Sequence, residues 1–422
     1  MAACQQAVGD TRDRPYQTGA AQTRAPRVSA AGSASGAAAF AAPAAITVAG
    51  VMLVALSMRQ AVAGVPPILA DLGLSPTAAS LLVAAPALCF SLGALAGPLV
   101  RARLGEERTI FVMVALILCG LLVRAFWPTW GLFPGTILAG LAIAVLNVVL
   151  TAFVKRRFPH HLGSIMGAYT MAMATGSSLA AGLTVIVLRA ADNSIQVALG
   201  VWAITVAVAL VVWLPQLRAG PPAERAVSAV RPRPIWRYPL AWHVLFFMGM
   251  QSLLYYGPLS WLPAIYRDRG LDPAEAGLLL MVFNGIAVIG NLAAPMIASR
   301  LPDQRLPVGV AICLMTAGLL GVLLAPIWTA LLWAAVLGVA QGSFLSLALL
   351  LIVLRSKDSD TAAALSGMAQ SGGYLLASTG PLLMGLLYSL TDGWTVPLLF
   401  LLVVAVLIWI PGMTAARNRT IG

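Results

Sequence analysis

Twelve times between residues 44 and 412 the chain runs for roughly nineteen residues or more with almost no charge. A segment of that length crosses a hydrocarbon layer about 30 Å thick as an α-helix. The apolar windows are 44–70, 77–100, 109–127, 131–154, 162–189 and 195–215, then 240–266, 275–299, 306–325, 328–354, 361–390 and 394–412. Lipid offers no partner for a free backbone N–H or C=O, so such spans are expected to be helices that satisfy their own hydrogen bonds. Composition agrees. Apolar residues make up 60% of the chain, charged residues 9%, and the mean hydropathy of +0.91 lies far outside the globular range. A water-soluble protein has too little polar surface to cover that much apolar material.

The charges give the topology. The chain carries 26 Lys and Arg and a net charge of +12. All of these bases except Arg59, Arg124, Arg189, Arg267 and Arg269 fall in the two tails or in alternate loops: 101–108, 155–161, 216–239, 300–305 and 355–358. Positive loops stay on the cytoplasmic side of a membrane, so both termini are expected in the cytoplasm. Bases scattered singly between apolar spans do not form a nucleic-acid surface. Residues 1–43, rich in Ala, Gly and Ser, are expected to be a disordered cytoplasmic tail, and 413–422 a short second tail.

The long polar stretch 216–239 divides the spans into an N-terminal half, 44–215, and a C-terminal half, 240–412. The halves repeat each other. LGLSPTAASLL (72–82) matches RGLDPAEAGLL (269–279), and LGSIMGAYTMAMATGSSLAAGL (162–183) resembles AALSGMAQSGGYLLASTGPLLMG (363–385), with Gly167 against Gly367. Matching segments run in the same order and direction, which makes the repeat parallel. The expected fold is an all-α membrane protein of twelve transmembrane helices in two six-helix halves.

Several chemistries are absent. There is no GxxxxGK[ST] loop for nucleotide phosphates and no HExxH or metal-spaced cluster. The three histidines are His160, His161 and His243, and no Ser/His/Asp arrangement accompanies them. Cys4, Cys89, Cys119 and Cys313 form no CxxC pair and read as small packing residues. Neither an enzyme nor a cofactor is expected.

One residue stands out. Arg59 lies in the middle of the first span, in VALSMRQAVAGVPP (54–67). Guanidinium does not shed its proton in a protein, and at the centre of a membrane helix it costs about 2.5–3.5 kcal/mol. The 14 acids all sit in tails, loops or helix ends, so the midplane holds a fixed positive charge and no fixed negative one. Two readings follow. Arg59 faces a cavity, where an anionic or electronegative solute supplies its partner, or it clamps helices through backbone carbonyls. Polar residues at helical spacing add candidates for the cavity wall: Gln251 and Tyr255 on the seventh span, Asn284 on the eighth, Gln370 and Tyr374 on the eleventh, Asn147 on the fourth and Gln341 on the tenth. Gln251 is a rough repeat partner of Arg59. Tyr256 and Trp261 lie near the same face, Trp261 more as an interface anchor. Pro66 and Pro67 suggest a bend in the first span.

The chain resembles the major facilitator superfamily, in particular transporters of the cyanate/nitroimidazole (CynX/NimT) type. The resemblance runs from about residue 50 to 410. It is carried by SMRQAVAGVPPILADLGLS (57–75), LNVVLTAFVKRRFP (146–159), GSIMGAYTMAMATGSSLAAGLT (163–184), QSLLYYGPLSWLPAIYRDRGLDPAEAGLLL (251–280) and ALSGMAQSGGYLLASTGPLLMGLL (364–387). It implies the major facilitator fold and secondary transport of a small cyanate-like or nitroimidazole-like solute by alternating access, in a bacterial-type cytoplasmic (inner) membrane, as a monomer. Proton coupling and substrate exchange are the two driving processes open to it, and no embedded carboxylate marks a coupling group. The other functional class is export of neutral or nitroaromatic toxic compounds. One signature departs from the superfamily. Between the second and third spans, where G-x-x-x-D-R-x-G-R-R is usual, this chain reads GPLVRARLGEER (97–108), with Arg101 where the aspartate is expected.

Overall fold

The computed structural model describes residues 30–65, 76–128, 130–219 and 234–421. Ile46–Gly422 form one compact unit, which carries everything discussed below, and Met1–Ala45 form another. The first helix, α1, is Ala30–Ala63. It therefore begins inside the segment expected as a disordered tail, because alanine is the strongest helix former and 30–45 is largely alanine. Residues 1–29, Pro66, Pro67 and most of the stretch 216–239 lie outside the described residues.

Eleven further spans follow: α2 (Pro76–Leu104), α3 (Glu106–Phe126), α4 (Leu132–Arg157), α5 (Leu162–Ala190), α6 (Ile195–Gly200 and Trp202–Ala219, broken at Val201), α7 (Pro239–Asp268), α8 (Pro273–Ala298), α9 (Arg305–Leu324), α10 (Ala330–Leu354), α11 (Ser359–Thr391) and α12 (Thr395–Leu407 and Trp409–Ala415). There is no strand among the described residues. Ten of these spans are long and apolar enough to cross a membrane. The two outside that group, α2 and α7, are 29 and 30 residues long. In α7 the apolar run is diluted by Gln251, Ser252, Tyr255 and Tyr256, residues that bear on the site.

Leucines 92, 95 and 99 on α2 and 382, 386 and 390 on α11 are exposed where lipid would lie. Trp130 and Trp328 at one end, and Trp236 at the other, are exposed in the positions of interfacial aromatic belts. Cys119 and Cys313 are exposed on these faces and Cys89 is buried, all with free thiols.

Within the compact unit the halves meet through α2 against α11 and α5 against α8. The repeat makes these one contact seen twice, since α2 corresponds to α8 and α5 to α11. Glycine sets the distance at both. A Cβ on Gly167 would stand 3.0 Å from the Leu292 carbonyl oxygen and 3.1 Å from the Pro295 ring. A Cβ on Gly367 would stand 3.0 Å from the Ala94 carbonyl oxygen and 3.1 Å from the Pro98 ring. The small residues of 163–182 thus serve close packing, as also where Gly176 lies against the Leu56 backbone of α1. Ser91 and Ser371 lock α2 to α11 by donating to each other's carbonyls, at 3.0 and 2.6 Å. Thr170 donates to the Asn291 carbonyl across the other pair at 3.1 Å.

The loop-bearing ends hold a charged corner. Arg101 binds Glu106 at 2.6 Å and, across the halves, Asp360 at 2.7 Å; Arg156 binds Glu106 at 2.6 Å and also Glu107. Lys155 reaches from α4 to the Val353 carbonyl of α10 at 2.7 Å. The segment after α12 is docked: Ile421 is buried and exchanges backbone bonds with Arg355 and Lys357. Arg355, bonded to Gln304, has its pKa pushed down to about 10 by burial, which leaves it charged at neutral pH.

Candidate functional site

Arg59 is the residue around which the interior is built. On α1 its neighbours Met58 and Gln60 are buried at 0% and 1%, while Arg59 itself keeps partial exposure. Its electrostatic neighbours are four phenols from three other helices: Tyr374 of α11, Tyr256 and Tyr255 of α7, and Tyr169 of α5. These come from both halves, so Arg59 points to the axis of the molecule and not to lipid. The Tyr374 hydroxyl is within hydrogen-bonding reach. The guanidinium carbon lies 5.9 Å from the centre of the Phe90 ring, a cation–π distance. Phe90 in turn packs on Tyr374 at 5.4 Å. Among the described residues no carboxylate faces Arg59. The acids sit at helix ends and loops, engaged elsewhere: Glu106, Glu107 and Asp360 in the charged corner, and Asp268 accepting from Tyr388 and Trp394.

The C-terminal half supplies an aromatic wall. Tyr255 and Tyr256 meet edge to face at 5.1 Å, and Tyr255 stacks on Phe283 of α8 at 5.9 Å. The Tyr255 hydroxyl donates to Asn284 Oδ1 at 3.2 Å, while Asn284 Nδ2 donates to the Leu280 carbonyl at 3.0 Å. Both residues keep partial exposure. On the N-terminal side the Tyr169 hydroxyl donates to Asn147 Oδ1 at 2.9 Å, leaving Asn147 Nδ2 buried with no partner. Gln341 Oε1 is a second orphan. Buried polar atoms left unpaired are costly, so these two amides have unspent hydrogen-bonding capacity beside the interior.

The other glutamines are occupied. Gln251, fully buried, donates to the Met248 carbonyl and to Ser252 Oγ, and its own oxygen accepts from Gln341 at 3.4 Å. Gln370 donates to Ser366 Oγ at 2.6 Å, and Ser366 also bonds Thr151 of α4 at 3.1 Å. Gln251 thus meets α10 only through Gln341, while Gln370 bonds within α11 and its partner Ser366 makes the link to α4. Nor is Gln251 the repeat counterpart of Arg59. The ungapped spacing that carries Pro76 onto Pro273 and Asp71 onto Asp268 carries Arg59 onto Tyr256 and Pro66 onto Pro263. One half therefore offers a cation at this position and the other a phenol. Trp261 acts as an anchor within the protein, donating to the Pro381 carbonyl at 3.0 Å and packing on Trp394.

Sequence reasoning missed Tyr169, Phe90 and the burial of Arg124. Tyr169 and Phe90 look like ordinary apolar-span aromatics until the fold puts them beside a cation. Arg124 was expected among the outer loop charges, yet it lies in the last turn of α3, 0% exposed, donating to the Ala61 carbonyl at 2.6 Å. That bond holds the last turn of α1, two residues beyond Arg59.

Comparison with known proteins decides the family. The sequence model "Major Facilitator Superfamily" matches residues 37–326 and 260–419. The chain belongs to the major facilitator superfamily. Among relatives, the 2-nitroimidazole transporter of Escherichia coli is 36% identical over 89% of this chain and 96% of that protein. A transporter of Bacillus subtilis, YycB, is 36% identical over 88% of this chain and 94% of its own length. The cyanate transport protein CynX of E. coli is 28% identical over 81% of this chain and 90% of that protein. The solved proton:xylose symporter XylE shares the fold with a TM-score of 0.69 at 15% identity, covering 86% of this chain and 94% of that one. The fucose:proton symporter FucP of E. coli gives 0.69 at 16%, covering 88% and 99%.

This superfamily member groups with the cyanate and 2-nitroimidazole transporters and is a multi-pass secondary transporter of small solutes. At the departing position, Arg101 is bound by Glu106, five residues on, a buried acid that also holds Arg156.

Proposed function

We propose that this transporter carries a small, planar, anionic or strongly electronegative solute, cyanate-like or nitroimidazole-like, bound between the halves at Arg59. The observation that carries this reading is the company Arg59 keeps: four phenols, one phenyl face and, among the described residues, no carboxylate. A guanidinium presents planar, bidentate donors, suited to the oxygens of a carboxylate-like or nitro group. Phe90 and the Tyr255–Phe283 stack suit a flat partner, with Asn147 Nδ2 and Gln341 Oε1 as further polar contacts. The same aromatic walls favour the second reading, export of a neutral nitroaromatic compound.

Both termini lie in the cytoplasm in this account, since the corner holding Arg101, Lys155, Arg156 and Arg355 is the basic side. The protein works as a monomer in the inner membrane. Transport is tested by uptake of radiolabelled cyanate and 2-nitroimidazole into proteoliposomes preloaded with the same unlabelled solute, for wild type and Arg59→Gln of equal size-exclusion profile. Loss of cyanate entry in the variant is expected. Equal entry would return Arg59 to the role of a helix clamp.

A further inference from the structure

We propose that the carrier is an obligate exchanger, moving one anion inward only as another moves outward; this rests on the anion-binding reading above. The inference comes from what Arg59 would face with the site empty. In the structure it keeps contact with solvent-accessible space. Alternating access requires an intermediate in which the site is closed to both sides and that space is lost. A guanidinium cannot discharge itself by releasing a proton, and its burial without a counter-charge is disfavoured.

Among the described residues no charged group is at hand to neutralise it. Tyr374, Tyr255, Tyr256 and Tyr169 offer neutral oxygens, and Phe90 offers a ring face. Gln251 and Gln370 are spent on Met248, Ser252 and Ser366. The buried carboxylate of Glu106 is held by two arginines at the basic ends of the helices. A bound anion makes the site neutral, so the loaded carrier passes through the closed state while the empty one is held back. The charge balance is complete. An anion of charge −1 enters, an anion of charge −1 leaves, and Arg59 stays protonated throughout. No proton is taken up or released, and no net charge crosses.

The test uses the full chain in proteoliposomes that contain either buffer or unlabelled cyanate, with radiolabelled cyanate outside. Entry at least tenfold faster into cyanate-loaded vesicles is expected, unchanged by a protonophore or by an imposed membrane potential. Equal entry into empty vesicles, or entry driven by an inward proton gradient, would overturn exchange while leaving the anion site in place. No entry into either set, repeated with labelled 2-nitroimidazole on both sides, would overturn the anion reading and exchange with it.

Discussion

Two arginines of the N-terminal half have opposite surroundings. Arg101, at the end of α2, binds Glu106, Asp360 and the Ser359 hydroxyl. Arg59, within the span of α1, meets phenols and a phenyl ring. The same side chain is a finished contact in one place and an open valence in the other. At the basic end the protein supplies the anion, so the charge fixes structure and joins the halves. In the interior no described carboxylate does, and under the proposed function the charge is left for the solute. Arg124 is a third case, fully buried and bonded to a carbonyl, where guanidinium works as a clamp on α1.

The finished side of this comparison breaks most severely at its shared acid. Glu106→Gln leaves Arg101 with Asp360 and Arg156 with Glu107, and the loss of the shared charge-assisted bonds is expected to cost about 2–3 kcal/mol. Thermal unfolding in detergent reads this, and anion binding per folded molecule should be unchanged. The glycine contacts come next. A Cβ at Gly163 would stand 2.5 Å from the Pro295 carbonyl oxygen, so Gly163→Leu forces α5 off α8. Overpacking of about 1–3 kcal/mol at this contact shifts the population by roughly tenfold toward states in which α5 and α8 part. Labelling of a cysteine introduced at Thr170, buried at the same contact, should speed up accordingly. The smallest effect belongs to Asp360→Asn. The Asp360 side chain is 48% exposed, and removing such a pair costs at most about 1 kcal/mol. A change in transport of no more than about fivefold is expected, shrinking as salt is raised to screen the pair.

Much of this was legible in the residues. Apolar length gave the spans, and the spacing of bases gave the alternation of loops, because both obey the bilayer locally. The repeat of Gly167 and Gly367 was visible, and the structure shows why it exists: each glycine admits a proline of the opposite half. Arg59 stood out by its cost in lipid. What the sequence could not rank was the set of amides. Asn147, Gln251, Gln341 and Gln370 look alike in a hydropathy profile. Only the fold shows that Gln251 and Gln370 are satisfied by their own neighbours, while Asn147 and Gln341 are left with orphan atoms. Arg124 was hidden for a similar reason, since nothing local marks whether a base near a span end turns outward or inward.

Under the proposed function the positive charge of Arg59 is matched by the solute and, among the described residues, by no carboxylate. The most direct measurement of this is cyanate affinity by calorimetry on purified wild type, Arg59→Lys and Arg59→Gln. The account predicts that lysine stays within about tenfold of wild type and that glutamine loses about a hundredfold or more, the scale of a buried charge partner worth near 3 kcal/mol. Glutamine binding as tightly as arginine would contradict it.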